Sequence, residues 1–265
     1  MTLASAVSWL FVPATRPERF ARAAGSGADV VVIDLEDAVA EDDKDRAREN
    51  LVAHWPAEAG VAVAVRVNGI GTPHGADDLA ACRELRPAAV VLPKTEDAAA
   101  VRTAATAGVA VLPLIESARG LVGLESITAA GAERLLFGSV DLALDLGVTE
   151  DAALDPARAD LVRWSAARGL PRPVDGVSTA IRDADAVTGA ARRARAWGFG
   201  GKLCIHPAQV PLVHAAFAPG AEEVAWARRI LAADGAGAAA VDGEMVDRPV
   251  LERARRIVAA VERSR

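Results

Sequence analysis

Eight short Val-, Ile- and Leu-rich runs, each followed by a polar residue and then an Ala-rich helical stretch, predict an α/β fold: a (β/α)₈ TIM barrel with a C-terminal helical extension. Three observations carry this reading. The runs are apolar throughout rather than alternating, which suits strands buried on both faces of a parallel sheet. Eight such units in about 220 residues match the size of a closed barrel. No Gly-x-Gly-x-x-Gly follows the first run, so the competing open sheet lacks its dinucleotide fingerprint.

The strands are expected, in order, at Trp9–Val12, Asp29–Ile33, Val61–Val67, Ala89–Leu92, Val109–Ile115, Arg134–Phe137, Pro173–Val177 and Lys202–Ile205. Mixed apolar and charged stretches between them predict helices over Arg16–Ser26, Asp42–Ala53, Ala76–Glu84, Glu96–Ala107, Ala118–Ala130, Pro156–Arg168 and Ala184–Trp197. Gly25, Gly108, Gly131, Gly169 and Gly198 stand where chains leave helices, and Asp155-Pro156 reads as an N-cap followed by a first-turn proline. After residue 220 the pattern changes to a helix at Glu222–Ala233, a small-residue linker at Gly235–Ala240 and a last helix at Arg248–Glu262. Residues 1–220 are therefore assigned to the catalytic barrel and 221–265 to the extension. The extension exceeds what closing a barrel requires, so a neighbouring subunit is its expected packing partner.

Composition removes several function classes. No apolar run in the 265 residues approaches the roughly 20 that span a bilayer, and Met1–Val7 carries no basic-then-apolar leader. Cys82 and Cys204 cannot make a disulfide framework, so a reducing cytoplasm is expected. With 30 basic against 36 acidic residues, no nucleic-acid partner is expected. Alanine makes up about a quarter of the chain, Tyr is absent, and only Lys44, Lys94 and Lys202 are lysines. We ascribe that bias to base composition. Its physical consequence is a core of small aliphatic side chains, suited to close helix-on-sheet packing.

In a barrel the active site lies at the C-terminal ends of the strands. Reading past each run gives Arg16, then Asp34 and Glu36, Arg66 and Asn68, Lys94, Glu116, Asp141, Asp175 or Ser178, and His206. Together they predict a polar rim of mixed charge. Glu116 and Asp141 end adjacent units and can converge on Mg²⁺, which takes oxygen ligands and keeps several waters. Ion pairs to Arg66 or Lys94 are the competing explanation for both. The four histidines are scattered and neither thiol has a ligand-spaced partner, which disfavours zinc. Arg66 suits a substrate carboxylate, and equally a bridge to Asp34 or Glu36. Asp34, Glu36 and Asp37 are expected to form a supporting network with Lys94. Lys94 as a Schiff-base nucleophile ranks lower, because carboxylates around it raise its pKa. Arg16, at the start of a helix, could meet an anionic group, whereas Arg19 reads as a solvated face. Cys204 reads as a buried small hydrophobe, and Ser139 and Ser178 lack triad partners in sequence.

These motifs resemble a known family. "LFVPATRPERF", "DVVVIDLEDAV", "VRVNG", "VVLPKTE", "LPLIESARG", "FGSVDLALDLG", "GKLCIHPAQV" and "DGEMVDRPV" follow in the order seen in citrate lyase β-subunit-like proteins, within the HpcH/HpaI aldolases. The resemblance runs from about Trp9 to the final helix. It implies a Mg²⁺-dependent barrel, typically a homotrimer, that cleaves 3-hydroxyacyl-coenzyme A thioesters to acetyl-CoA and a keto acid. Carried onto this chain, it implies Mg²⁺ on Glu116 and Asp141, the keto-acid end of the substrate on Arg66, and coenzyme A on Phe11, Arg16 and Arg22. It also implies that Asp247 is an acid/base group reaching a neighbouring subunit's site; sequence spacing alone reads Asp247 as the N-cap of the last helix. Many relatives carry Glu before the metal-binding Asp, where this chain has Val140. Two alternatives stay open: a metal-dependent pyruvate-type aldolase on free hydroxy-keto acids, and a non-catalytic lyase subunit.

Overall fold

The apolar runs become eight parallel strands: β1 (Ser8–Pro13), β2 (Val30–Asp34), β3 (Ala62–Arg66), β4 (Ala89–Leu92), β5 (Ala110–Ile115), β6 (Leu136–Phe137), β7 (Val174–Asp175) and β8 (Gly201–Cys204). They pair in chain order and β8 closes back onto β1, making the (β/α)₈ barrel the sequence predicts. The computed structural model describes residues 2–181, 183–235, 240–241 and 244–263. The barrel lies in one compact unit, Met1–Ala216, and Phe217–Arg265 forms a second.

Ten helices follow the strands: α1 (Phe20–Ala24), α2 (Lys44–Ala53), α3 (Gly75–Leu85), α4 (Ala98–Ala105), α5 (Ala118–Val122), α6 (Leu124–Ala129), α7 (Ser139–Leu146), α8 (Asp155–Ala167), α9 (Ala184–Trp197) and α10 (Gln209–Phe217). Local chemistry starts and stops several of them. Asp97 accepts from the Ala100 N–H at 2.9 Å to open α4, and Asp183 does the same for Ala186 at α9. Gly198 ends α9 at φ 101°, a left-handed turn that a side chain would strain.

Four expectations shift. The predicted seventh strand shrinks to Val174–Asp175; Pro173 has no N–H to extend the ladder. The helix expected at Arg16–Ser26 is a 3₁₀ turn over Pro17–Arg19 running into α1. The one expected at Ala118–Ala130 breaks at Gly123 into α5 and α6. Asp155 lies inside the first turn of α8 rather than capping it, because its carboxylate pairs with Arg158 at 3.1 Å and with Arg193. Helices α7 and α10 are unforeseen: the residues of α7 read only as rim, and those of α10 fall between the last predicted strand and the extension.

Alternate residues of the strands fill the barrel: Trp9, Val30 and Val32, Ala64, Ala89 and Val91, Leu112 and Leu114, Leu136, Val174 and Leu203. At the N-terminal end Arg134 turns inward over the Trp9 ring, 5.7 Å from its centroid. Its guanidinium donates to the carbonyls of Leu3, Ala6 and Arg172 at 2.6–2.8 Å. Burial without a carboxylate partner pushes its pKa down to about 10. This plug closes the bottom and leaves the C-terminal ends as the mouth.

In the second unit α11 (Ala221–Gly235) and α12 (Arg248–Arg263) pack around Ala227, Ile230, Ala254 and Ile257, with a short hairpin of β9 (Ala240–Val241) and β10 (Glu244–Met245). Most of the linker expected at Gly235–Ala240 lies outside the described residues. Among the described residues no helix is long and apolar enough to cross a membrane.

Candidate active site

Strand parity decides which charges enter the mouth. Side chains alternate across a strand, so the residue two beyond an interior position also points inward. Asp34 lies two past Val32, Arg66 two past Ala64 and Glu116 two past Leu114, and all three crown the interior column. Asp34 and Arg66 are register partners across β2 and β3.

Arg66 is gripped. Its Nε and Nη2 donate to the two Asp34 oxygens at 2.7 and 2.6 Å, a bidentate pair. Nη1 stands 3.1 Å from Glu36 and 3.4 Å from Asp37, and the guanidinium carbon lies 5.0 Å from the Phe11 ring centroid. Burial works against the charge, but Asp34 and its neighbours outweigh it and raise the Arg66 pKa. Lys94 donates to Glu36 at 2.7 Å, which raises the lysine's pKa as expected, the opposite of the lowering a Schiff-base lysine needs. The supporting network thus divides: Asp34 belongs to Arg66, while Glu36 and Asp37 are shared between Arg66 and Lys94.

Glu116 is different. It is 3 % exposed, and among the described residues its carboxylate accepts from the backbone N–H of Lys94 at 2.7 Å rather than from an ammonium or guanidinium. The ion pair that competed for it is not formed. Burial first, opposed by the Lys94 N–H and Arg66 but reinforced by Asp141 and Glu36, pushes its pKa up to about 8. Asp141 sits in the first turn of α7, near enough for its charge to act on Glu116. Among the described residues no cluster of three or more His, Cys, Asp or Glu could hold a metal. A metal here would rest on two carboxylates plus non-protein oxygens.

Other rim candidates fall elsewhere. Asp175 lies one residue past the interior Val174 and so points outward, against Lys202 at 2.7 Å and Arg158 at 3.2 Å. Ser178 lines a small cavity beside that pair. The His206 ring nitrogen accepts from the Ala208 N–H, tying it to its own loop. Arg16 is half-exposed and bridges Glu18 at 2.6 Å, and Arg22 is exposed on α1. Phe11 is partly buried under Arg66. Asp247 accepts from the Val250 N–H at 3.1 Å, capping α12. Cys204 is buried and its thiol is pushed up to about 12, which leaves it inert.

Three contributors went unread. Lys44 is buried and its ammonium holds the carbonyls of Leu35 and Glu36 at 2.9 and 2.7 Å, fixing the loop that carries Glu36. Lys94 adopts φ 47°, a costly backbone for a side-chain residue, and that turn aims its N–H at Glu116. Gly138 makes room: a Cβ there would lie 2.3 Å from the Glu116 Cβ and 2.5 Å from its Oε2. The rarity of lysine was a signal for Lys44 and Lys94, but nothing in the sequence marked the left-handed turn at Lys94 or the close approach at Gly138.

With this geometry established, comparison with known proteins is informative. The family model described as HpcH/HpaI aldolase/citrate lyase matches residues 7–207. A citrate lyase subunit beta-like protein of Mycobacterium tuberculosis is 42 % identical over 95 % of this chain and 94 % of its own length. A (3S)-malyl-CoA thioesterase of Cereibacter sphaeroides is 35 % identical over 96 % and 94 %. The crystal structure of protein CitE from M. tuberculosis in complex with magnesium, acetoacetate and coenzyme A superposes with a TM-score of 0.89 at 38 % identity, covering 98 % of this chain and all of that one.

Proposed function

Because the chain belongs to the HpcH/HpaI aldolase/citrate lyase family, we propose that it is a Mg²⁺-dependent carbon–carbon lyase cleaving a 3-hydroxyacyl-CoA thioester to acetyl-CoA and a keto acid. The observation that carries this reading is the charge at the mouth. Asp34, Glu36 and Asp37 pair with Arg66 and Lys94, whereas among the described residues Glu116 has a buried carboxylate with no cationic side chain bonded to it and Asp141 adds its charge beside it. Two carboxylates backed by room for waters and a substrate oxygen suit Mg²⁺, so the residues present fit the ion. Glu116 and Asp141 would hold it. When bound, Mg²⁺ supplies Lewis-acid polarisation of the substrate's hydroxyl and carboxylate oxygens, lowering the pKa of the hydroxyl.

Arg66 receives the keto-acid carboxylate. Asp34 holds its fork rigid, and the half-exposed Asp37 at 3.4 Å is the loosest contact for an incoming carboxylate to displace. The substrate hydroxyl gives up its proton to water, its oxygen forms the keto acid's carbonyl, and the bond between C2 and C3 breaks. The electron pair passes into the thioester enolate, which takes a proton at C2 from Asp247 of a neighbouring subunit. Arg66 offsets charge on the departing keto acid. Coenzyme A lies along Phe11, Arg16 and Arg22, whose two arginines are open to solvent. This mechanism calls for a homotrimer or another closed assembly, and the reading places the enzyme in the cytoplasm.

The deciding experiment is a lyase assay with Mg²⁺ over citryl-, malyl-, citramalyl- and hydroxymethylglutaryl-CoA. Release of acetyl-CoA with the matching keto acid supports the reading. Release of free CoA and the intact hydroxy acid makes it a thioesterase. Turnover of free hydroxy-keto acids alone makes it a pyruvate-type aldolase. No turnover, with no thermal stabilisation by Mg²⁺ plus oxaloacetate or acetyl-CoA, makes it a non-catalytic subunit.

A further inference from the structure

Asp145 is poorly placed for its own helix. It lies one turn beyond Asp141 on α7, so two like charges stand at i and i+4. It also sits in the last turn, where a carboxylate opposes the helix dipole and no basic residue offsets it. The residue is exposed, so burial gives nothing in return. Its side chain instead reaches off the helix: Oδ2 accepts from the backbone N–H of Ala118 at 2.7 Å, across 27 positions of chain. Ala118 opens α5, where the first N–H groups lack partners within the helix. The Ser117 hydroxyl before it is already engaged, accepting from the Gly120 N–H at 3.1 Å and donating to Glu96 at 3.0 Å.

This bond joins the two segments that carry Glu116 and Asp141. Glu116 stands two residues before Ala118, and Asp141 four before Asp145. At the near end the Gly138 N–H donates to the Ile115 carbonyl at 2.9 Å, and Gly138 lies close against the Glu116 Cβ. Asp145 makes a second tie seven residues on, about 10 Å along the helix. One point lets a helix swing; two fix its direction. Buried Leu142 also holds α7 to the barrel, but apolar burial is non-directional. We propose that Asp145 is a positioning residue: it sets the separation and aim of Glu116 and Asp141, acting through the Ala118 N–H and not through its own charge. The inference rests on the reading that these two carboxylates hold Mg²⁺. That ion demands near-octahedral geometry, so ligands already oriented bind it more tightly than ligands that must be gathered.

The test titrates Mg²⁺ into metal-free full-length protein by calorimetry, comparing the unsubstituted chain with Asp145→Ala and Asp145→Asn, and records the thermal midpoint of each without metal. Asp145→Ala loses the tie, and its Kd for Mg²⁺ should rise at least about fivefold. Its midpoint should not fall, because the change removes a like charge from Asp141 and a dipole conflict from α7. Asp145→Asn keeps an amide oxygen that can accept from the Ala118 N–H while discarding the charge, so its Kd should stay within about twofold of the unsubstituted protein. Exchange of the Ala118 amide with solvent should quicken in Asp145→Ala and not in Asp145→Asn. An unchanged Kd in Asp145→Ala overturns the proposal. Equal weakening in both variants overturns it too, since the ion would then be responding to charge. A midpoint that falls along with affinity makes Asp145 a stabiliser of the fold and has the same consequence. Glu116→Gln separates the two readings. If the unsubstituted protein binds no Mg²⁺, or Glu116→Gln binds it equally well, the ion site fails and takes this inference with it. If the unsubstituted protein binds, Glu116→Gln does not and Asp145→Ala is unaffected, only the role of Asp145 is refuted.

Discussion

Two ionic networks, each built around a buried pair, flank the C-terminal half of the barrel, and they differ in one respect. Outside the wall, Asp175, Asp151 and Asp155 face Lys202, Arg158 and Arg193, three acids against three bases. Inside the mouth, five carboxylates face two cations. A network that neutralises itself has satisfied the cost of burying its charges and needs nothing more. One that leaves Glu116 buried without a cationic partner has not, and a missing cation is the simplest completion. Burial and charge alone would have marked both as sites. Charge balance separates the clamp from the active centre.

The largest expected effect breaks the inner network where it is unbalanced. Glu116→Gln keeps the shape and removes the charge. Acetyl-CoA release should fall by roughly 10²- to 10³-fold or more, while the metal-free protein melts no lower than before. Lys202→Met should do the reverse. It leaves Asp175 with Arg158 alone and frees the Gly176 carbonyl, so denaturant unfolding should show a loss of about 1–3 kcal/mol, with turnover of the folded enzyme within about twofold. If the first variant stays active or the second loses turnover in proportion to substrate binding, charge balance does not sort these networks.

How much of this could be read in advance follows the same line. Eight strands, most of their helices and the rim charges Asp34, Arg66, Lys94, Glu116 and Asp141 were legible because apolar runs and the polar residue after each are local features; α7 and α10 were not. Parity was less so. Reading the seventh strand as Pro173–Val177 hid that Asp175 sits one step, not two, from the interior Val174, and so put it on the wrong face. Partner choice was not legible at all. That Asp34 takes both oxygens to Arg66, or that a left-handed Lys94 turns its N–H onto Glu116, depends on strand register and on close approach at Gly138. The lysines were a better guide than they looked. All three bury or aim an ammonium at named acceptors. Asp247 shows the limit: local sequence reads it as a cap, the structure has it capping, and its catalytic role rests on family resemblance and the proposed assembly.

A smaller effect sharpens the contrast through pH. The Glu116 carboxyl titrates near 8 when folded and near its ordinary value of 4.5 when unfolded. Between those values the folded carboxyl keeps a proton that the unfolded one has lost, so the folded state binds more protons and stability falls as pH rises. Chelator-treated protein should lose up to about 1.4 kcal/mol per pH unit from this group across that window. Glu116→Gln should flatten the slope. Added Mg²⁺ should stabilise more at pH 8 than at pH 5.5, because the proton competes with the ion for the same oxygens. A slope that survives Glu116→Gln would place the titrating group elsewhere.

The smallest expected effect probes whether the outer clamp is as self-contained as its charges imply. Arg193 is its most exposed cation, 34 % open to solvent, and it shares Asp151 and Asp155 with the deeply buried Arg158. Removing it leaves both acids a partner, so Arg193→Ala should cost no more than about 1 kcal/mol in urea unfolding. Turnover and KM should not move. The informative failure is a raised KM at unchanged stability. Arg193 lines the same small cavity as Ser178 and Thr179, which follow β7 toward the mouth. A KM effect would mean that the clamp also sets that loop, and that charge balance identifies where the chemistry is without marking what positions the substrate.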